Sequence, residues 1–166
     1  MILLDYPNLL SCVNDIITNI QTFRPTYYNE FRLQYDTGCR IKEAVDKTFW
    51  SYSFPNWILE PQKNNNLRTF SPAELSQNSL EYLFSPWQLI PDKFYNKYDY
   101  VFQNSTEGRV FTVGQKHCTT HIFRHLYAKR LKNEGLLDFE IQIKFGEKTI
   151  DSARNYIYSD VYVNFL

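Results

Sequence analysis

The chain has 166 residues, with 18 Lys and Arg balanced by 18 Asp and Glu, 13 Phe, 13 Tyr and 3 Cys. That length suits one domain with one sizeable core, and the aromatic content excludes a disordered chain. No apolar run approaches the roughly 20 residues of a membrane span, so no membrane association is expected. A formal net charge of zero counts against a nucleic-acid binder without excluding one, because the distribution of charge decides. Between His117 and Gly135 the charges are Arg124, Lys129, Arg130 and Lys132 against Glu134 alone. The opening MILLDYPNLL has no basic stretch and meets Asp5 and Pro7 early, unlike a signal peptide. Cys12, Cys39 and Cys118 are an odd, scattered set, which fits reduced thiols of a cytosolic protein better than a disulfide framework.

Residues 7–20 carry Leu9, Leu10, Val13, Ile16, Ile17 and Ile20 at helical spacing. Residues 25–35 read as a second helix with Pro25 in its first turn, stopped by Asp36-Thr37-Gly38. A short helix follows over 40–47. Residues 57–60 and 67–70 are β-prone runs on either side of the polar turn 61–66, which predicts a hairpin. Ser71, Pro72 and Glu74 form a capping box for a helix to about Phe84. Residues 86–115 read as irregular and aromatic, with one strand at 100–102. Thr120 is expected to cap a helix to Lys132, ended by Asn133-Glu134-Gly135. Asp138 starts a further helix that ends near Gly146, and Thr149 or Asp151 starts the last, which carries Tyr156. The fold class is mainly α with a small β-hairpin or sheet (α+β).

The chemistry-bearing residues lie in four places. Thr-Gly-Cys-Arg-Ile-Lys-Glu puts Arg40 at a helix start. Lys63 opens KNNNLRTF in the hairpin turn, with an arginine five residues later. His121-Ile122-Phe123-Arg124-His125 places His121, Arg124 and His125 on one helix face. The glycine of IKFGEKT follows Arg124 by 22 residues, and Tyr156 follows it by 32. Arginine forks stay charged and bind phosphate oxygens bidentately. A lysine can protonate a leaving oxygen, and a phenol held near cations can attack a phosphodiester. The same stretch admits another chemistry: His117, His121 and His125 fall at i, i+4 and i+8 beside Cys118, as in a zinc site, but without the glutamate of the metalloprotease motif or a second ligand cluster.

From about Phe23 to Ser159 the chain resembles the catalytic domain of the tyrosine recombinases, the phage-integrase family. Its TGxRxxE motif matches Thr37 to Glu43, its HxxRH motif matches His121 to His125, and its LLGHxxxxxTxxY motif is similar to Ile143 to Tyr156. The resemblance implies a catalytic set of Arg40, Lys63, His121, Arg124, Glu147 and Tyr156. The arginines would grip the phosphate, His121 would assist proton transfer, Lys63 would protonate the departing 5′-oxygen, and Tyr156 would be the nucleophile. Tyr158, two residues on, is the competing tyrosine. The resemblance further implies duplex DNA as partner, four protomers assembled on two duplexes, accessory DNA-bending proteins, no metal or cofactor, and a cytoplasmic setting in a bacterium, phage or other mobile element. A DNA-binding accessory protein with weak or no cleavage is the alternative, and a topoisomerase of the same chemistry is another.

Three departures accompany the resemblance. Glu147 stands where the family has histidine or tryptophan. A carboxylate there repels phosphate, so it is expected to pair with Arg40 or Arg124 before DNA arrives. Residues 1–166 are expected to form one catalytic domain without the family's N-terminal core-binding domain, either as a fragment or as a minimal protein. The apolar tail Val161 to Leu166 either packs on its own domain or adds as a strand to a neighbouring subunit.

Overall fold

The computed structural model describes residues 1–62, 65–87 and 95–165. Helix α1 (Tyr6–Phe23) begins where Asp5 accepts from the Asn8 amide at 3.0 Å and Pro7 occupies the first turn. Its face Leu9, Val13, Ile16, Ile17 and Ile20 is buried. A short 3-10 turn (Pro25–Tyr27) leads into α2 (Tyr28–Thr37), which ends at Gly38 in the left-handed region, φ 66°. Helix α3 (Ile41–Val45) starts directly after Arg40.

Strands β2 (Trp50–Ser53), β3 (Asn56–Leu59) and β4 (Arg68–Phe70) form an antiparallel sheet. The expected hairpin is its β3–β4 half; β2 was not anticipated. The helix expected over 72–84 is interrupted. A 3-10 turn (Pro72–Glu74) stops at Leu75, and α4 (Gln77–Phe84) restarts where Ser76 Oγ accepts from the Ser79 amide at 3.1 Å.

Residues 100–102 are not a strand. They belong to helix α5 (Tyr95–Gln103), whose buried positions Tyr95, Tyr98, Val101 and Phe102 repeat at helical spacing. Tyr98 and Phe102 pack on Phe31 at 5.7 and 6.3 Å between ring centroids. The aromatic and β-branched residues suggested a strand, but burial of one helical face decided the outcome.

A second sheet runs β1 (Ile2–Leu4), β7 (Val161–Phe165), β5 (Arg109–Val113), β6 (Lys116–Cys118), all antiparallel. The C-terminal tail is therefore a central strand of its own domain, pairing Val163 with both Ile2 and Phe111. The remaining helices are α6 (Ile122–Asn133), α7 (Asp138–Phe145) and α8 (Ile150–Ile157). Thr120 does not cap α6: His121 holds that position, and the Thr120 hydroxyl donates to Asp99 at 3.5 Å instead, beside that of Thr119 at 3.1 Å.

Helix α6 lies between two apolar clusters. Ile122, Phe123 and Leu126 face the one built on α1, α5 and the four-stranded sheet. Tyr127, Ala128 and Leu131 face the one built on the three-stranded sheet, α7 and α8. Every residue from Ile122 to Ala128 is buried, so Arg124 and His125 are carried into the interior. Among the described residues no helix is long and apolar enough to cross a membrane.

Candidate active site

Tyr156 is delivered by α8, whose start is fixed by Thr149 Oγ1 accepting from the Ser152 amide at 3.2 Å. Its phenol oxygen lies 3.1 Å from His121 Nε2. The ring packs between the Phe145 ring at 5.4 Å and the His125 ring at 4.9 Å. The Arg124 guanidinium carbon lies 4.9 Å from the centroids of both Tyr156 and Phe145, a cation–π arrangement that places positive charge against the phenol. His121, Arg124 and His125 thus meet one tyrosine. Tyr158 faces elsewhere: its hydroxyl donates to Asp138 at 2.8 Å. Asp138 also takes hydrogen bonds from Lys132 and Arg154, which hold its carboxyl down at about 2.

Arg124 is fully buried. Its Nη1 donates to the Gly38 carbonyl at 2.8 Å, and Nη2 reaches Glu147 Oε1 at 3.4 Å, while Nε has no partner among the described residues. The carboxylate of Glu147 therefore pairs with Arg124 rather than with Arg40. Arg40 turns to Glu43, whose Oε2 lies 3.5 Å from its Nη1. The Glu43 carboxylate is wholly buried, and it also accepts from the Arg40 amide at 2.8 Å and the Gln62 amide at 2.7 Å. It fixes the arginine's backbone and side chain and one end of the hairpin turn. Lys63 lies outside the described residues.

His125 is buried, and its Nδ1 lies 2.9 Å from the Ser159 hydroxyl. Burial, with His121, Lys129 and Arg124 adding positive charge nearby, pulls its pKa down to about 3, so it stays neutral at physiological pH. Lys129 secures the end of α8 by donating to the Ile157 and Ser159 carbonyls. Gly146 holds φ 67°, and a Cβ there would stand 2.3 Å from the Asn66 carbonyl oxygen. The Asn66 amide donates to the Gly146 carbonyl at 2.7 Å. This close approach ties the hairpin to the turn that presents Glu147.

His117 and Cys118 sit on β6, in register with Thr112 and Phe111. Among the described residues no group of three His, Cys, Asp or Glu side chains could hold a metal ion. Two buried residues received no role from sequence. Glu43 was visible as the acid three residues after Arg40, a capping-box spacing. Arg68 was visible only as the arginine five residues after Lys63. It is fully buried, and desolvation pulls its guanidinium below the ordinary value.

No protein-family model matches the chain, and no curated protein matches it by sequence. Solved structures do match in fold. One is XerH site-specific recombinase bound to palindromic difH substrate in a post-cleavage complex, at TM-score 0.56 and 12% identity, covering 88% of this chain and 47% of that one. Another is the Tn1549 transposon integrase in complex with a circular-intermediate DNA, at TM-score 0.55 and 13% identity, covering 92% of this chain and 60% of that one. The chain spans about half the length of the XerH chain it matches.

Proposed function

We propose that this chain, whose fold is that of a tyrosine recombinase catalytic domain, is a site-specific recombinase that cuts and rejoins duplex DNA through a 3′-phosphotyrosine. The observation that carries the proposal is the grouping of His121 Nε2 at 3.1 Å from the Tyr156 phenol with the Arg124 guanidinium 4.9 Å from the same ring. An imidazole nitrogen that can take the proton and a guanidinium cation held around one phenol suit attack on a phosphodiester, since they remove the proton and stabilise charge that develops in the transition state.

In this mechanism Arg40 and Arg124 hold the non-bridging oxygens of the scissile phosphate. Tyr156 Oη attacks phosphorus, and its proton passes to His121 Nε2. The new ester joins the tyrosine to the 3′-phosphate, and the bond to the 5′-oxygen breaks. Lys63 gives that oxygen its proton, the role that the resemblance assigns. The covalent bond conserves the energy of the cut, so a 5′-hydroxyl from a second duplex reverses the step without ATP. Four protomers on two duplexes would carry out exchange, and binding would rest mainly on phosphate contacts, with affinity falling steeply with salt. The XerH and Tn1549 structures are of proteins bound to DNA, which supports duplex DNA as the partner.

The Glu147–Arg124 contact favours a second reading: a DNA-binding accessory protein that cleaves weakly, because a carboxylate already occupies one phosphate-gripping arginine. Covalent trapping separates the two. Nicked duplexes with a randomised core, which lose a short fragment on cleavage, are incubated with the protein and resolved in SDS. An adduct that vanishes in Tyr156→Phe supports the recombinase. Salt-sensitive DNA binding without an adduct supports the accessory protein.

A further inference from the structure

Arg68 on β4 is buried with no carboxylate within ion-pair distance among the described residues. Its Nε donates to the Lys144 carbonyl at 2.7 Å, its Nη2 donates to the Thr37 carbonyl, and its Nη1 has no partner among the described residues. The rings of Phe70, Tyr127 and Phe145 surround it, with centroids at 5.0, 5.6 and 5.3 Å. Burying a cation without a counter-charge is costly. The offset lies in where the two carbonyls come from.

Thr37 is the last residue of α2, and Lys144 is the penultimate residue of α7. The last four carbonyls of a helix have no partner within it, and its C-terminal end carries partial negative charge. One guanidinium fork caps both ends at once. A lysine, with a single ammonium, does not reproduce that span. The two helices terminate alike, at Gly38 with φ 66° and Gly146 with φ 67°. Just beyond these glycines stand Arg40 and Glu147. The neighbouring carbonyl, that of Gly38, is the one that Arg124 takes. Phe145, packed on Arg68, also packs on Tyr156 and Arg124.

We infer that Arg68 is a positioning residue that locks the ends of α2 and α7 in one register, and so sets Arg40 against Arg124 and Tyr156. The inference rests on the recombinase reading for its catalytic consequence, and on the fold alone for the clamp itself.

The test compares wild type, Arg68→Met and Arg68→Lys. Amide hydrogen exchange needs no catalysis: in Arg68→Met the Gly38 and Glu147 amides are expected to exchange together about tenfold faster, with α1 unchanged. Unchanged exchange at both positions overturns the clamp. Single-turnover cleavage then uses the duplex recovered from wild-type trapping. Arg68→Met is expected to cleave about a hundredfold more slowly, the scale of a 1 Å misplacement, with DNA affinity retained. Arg68→Lys is expected to recover part of the loss. A neutral methylphosphonate at the scissile position asks less of paired arginines, so the Arg68→Met deficit should shrink there. Equal rates for wild type and Arg68→Met, or one deficit on both linkages that tracks the unfolded fraction, overturn the positioning role. A wild type that forms no adduct overturns the recombinase reading, and the exchange result then still decides the clamp.

Discussion

In the proposed reaction, replacing Glu147 with glutamine removes a negative charge from the place where a phosphate would approach. Its Oε1 lies 3.4 Å from Arg124 Nη2, with side chains 10% and 1% exposed. At an effective dielectric of ~20, attraction at this separation is about 5 kcal/mol. Desolvation of the two groups offsets most of that. The net hold that DNA would have to overcome in the proposed reaction is then about 1–2 kcal/mol, or roughly tenfold in rate or affinity. Glutamine keeps the shape and one acceptor, so Arg124 loses a charge-assisted bond worth about 1–3 kcal/mol of stability rather than every partner. Two measurements follow. In sulfate-free buffer Glu147→Gln melts below wild type, and added sulfate raises its melting temperature more than that of wild type, because the released Arg124 accepts an oxyanion. In single-turnover trapping the adduct forms about tenfold faster. Glu147→His, which places a donor at the same position, is expected to act in the same direction. Unchanged or slower adduct formation in both variants, with no extra stabilisation by sulfate, would refute a carboxylate that competes with phosphate.

Tyr156→Phe is expected to abolish the covalent adduct while Tyr158→Phe retains it, since the Tyr158 hydroxyl is engaged by Asp138; gel analysis of both variants checks this. His125 is held neutral to about pH 3 in the folded chain against an ordinary 6.5. Between those values the unfolded chain binds the extra proton, so this share of stability is complete above pH 6.5. It is lost as pH falls, by up to about 1.4 kcal/mol per unit. The urea stability of wild type minus that of His125→Gln should therefore shrink from pH 7 to pH 4, and a constant difference would exclude this source. Gly146→Ala forces a side chain into a left-handed position and against the Asn66 carbonyl oxygen at 2.3 Å. A loss of about 3 kcal/mol in urea unfolding is expected, and a near-neutral result would mean that the hairpin does not seat there.

Helices whose signals are local were legible in the sequence. The apolar period of residues 9–20 and the glycines after α2 and α7 each act within a few residues, so each could be read from the sequence alone, whereas the last helix had two candidate starts, Thr149 and Asp151, of which Thr149 holds the cap. The candidates Arg40, His121, Arg124 and Tyr156 came from the resemblance to the tyrosine recombinase motifs; helical spacing by itself grouped only His121, Arg124 and His125. Helix α5 was not legible. Its aromatic residues suit a strand as well as a helix, and contact with Phe31 decided between them. The four-stranded sheet was hidden too, because β7 finds partners at Ile2–Leu4 and Arg109–Val113, pairings that no local pattern announces.

The site divides in the same way. Sequence alone offered Tyr156 and Tyr158 as nucleophiles, and Arg40 and Arg124 as partners for Glu147. Tyr156 lies in the last turn of α8 and Tyr158 just past its end, so the packing of that helix end directs Tyr156 to His121 and Tyr158 to Asp138. Burial of Glu43 beside Arg40 leaves Arg124 to Glu147. Residue types and spacings determined which groups could do chemistry. Which of them meet was decided by tertiary structure, because buried charges settle on whichever carbonyls and carboxylates the packed helix ends bring within reach.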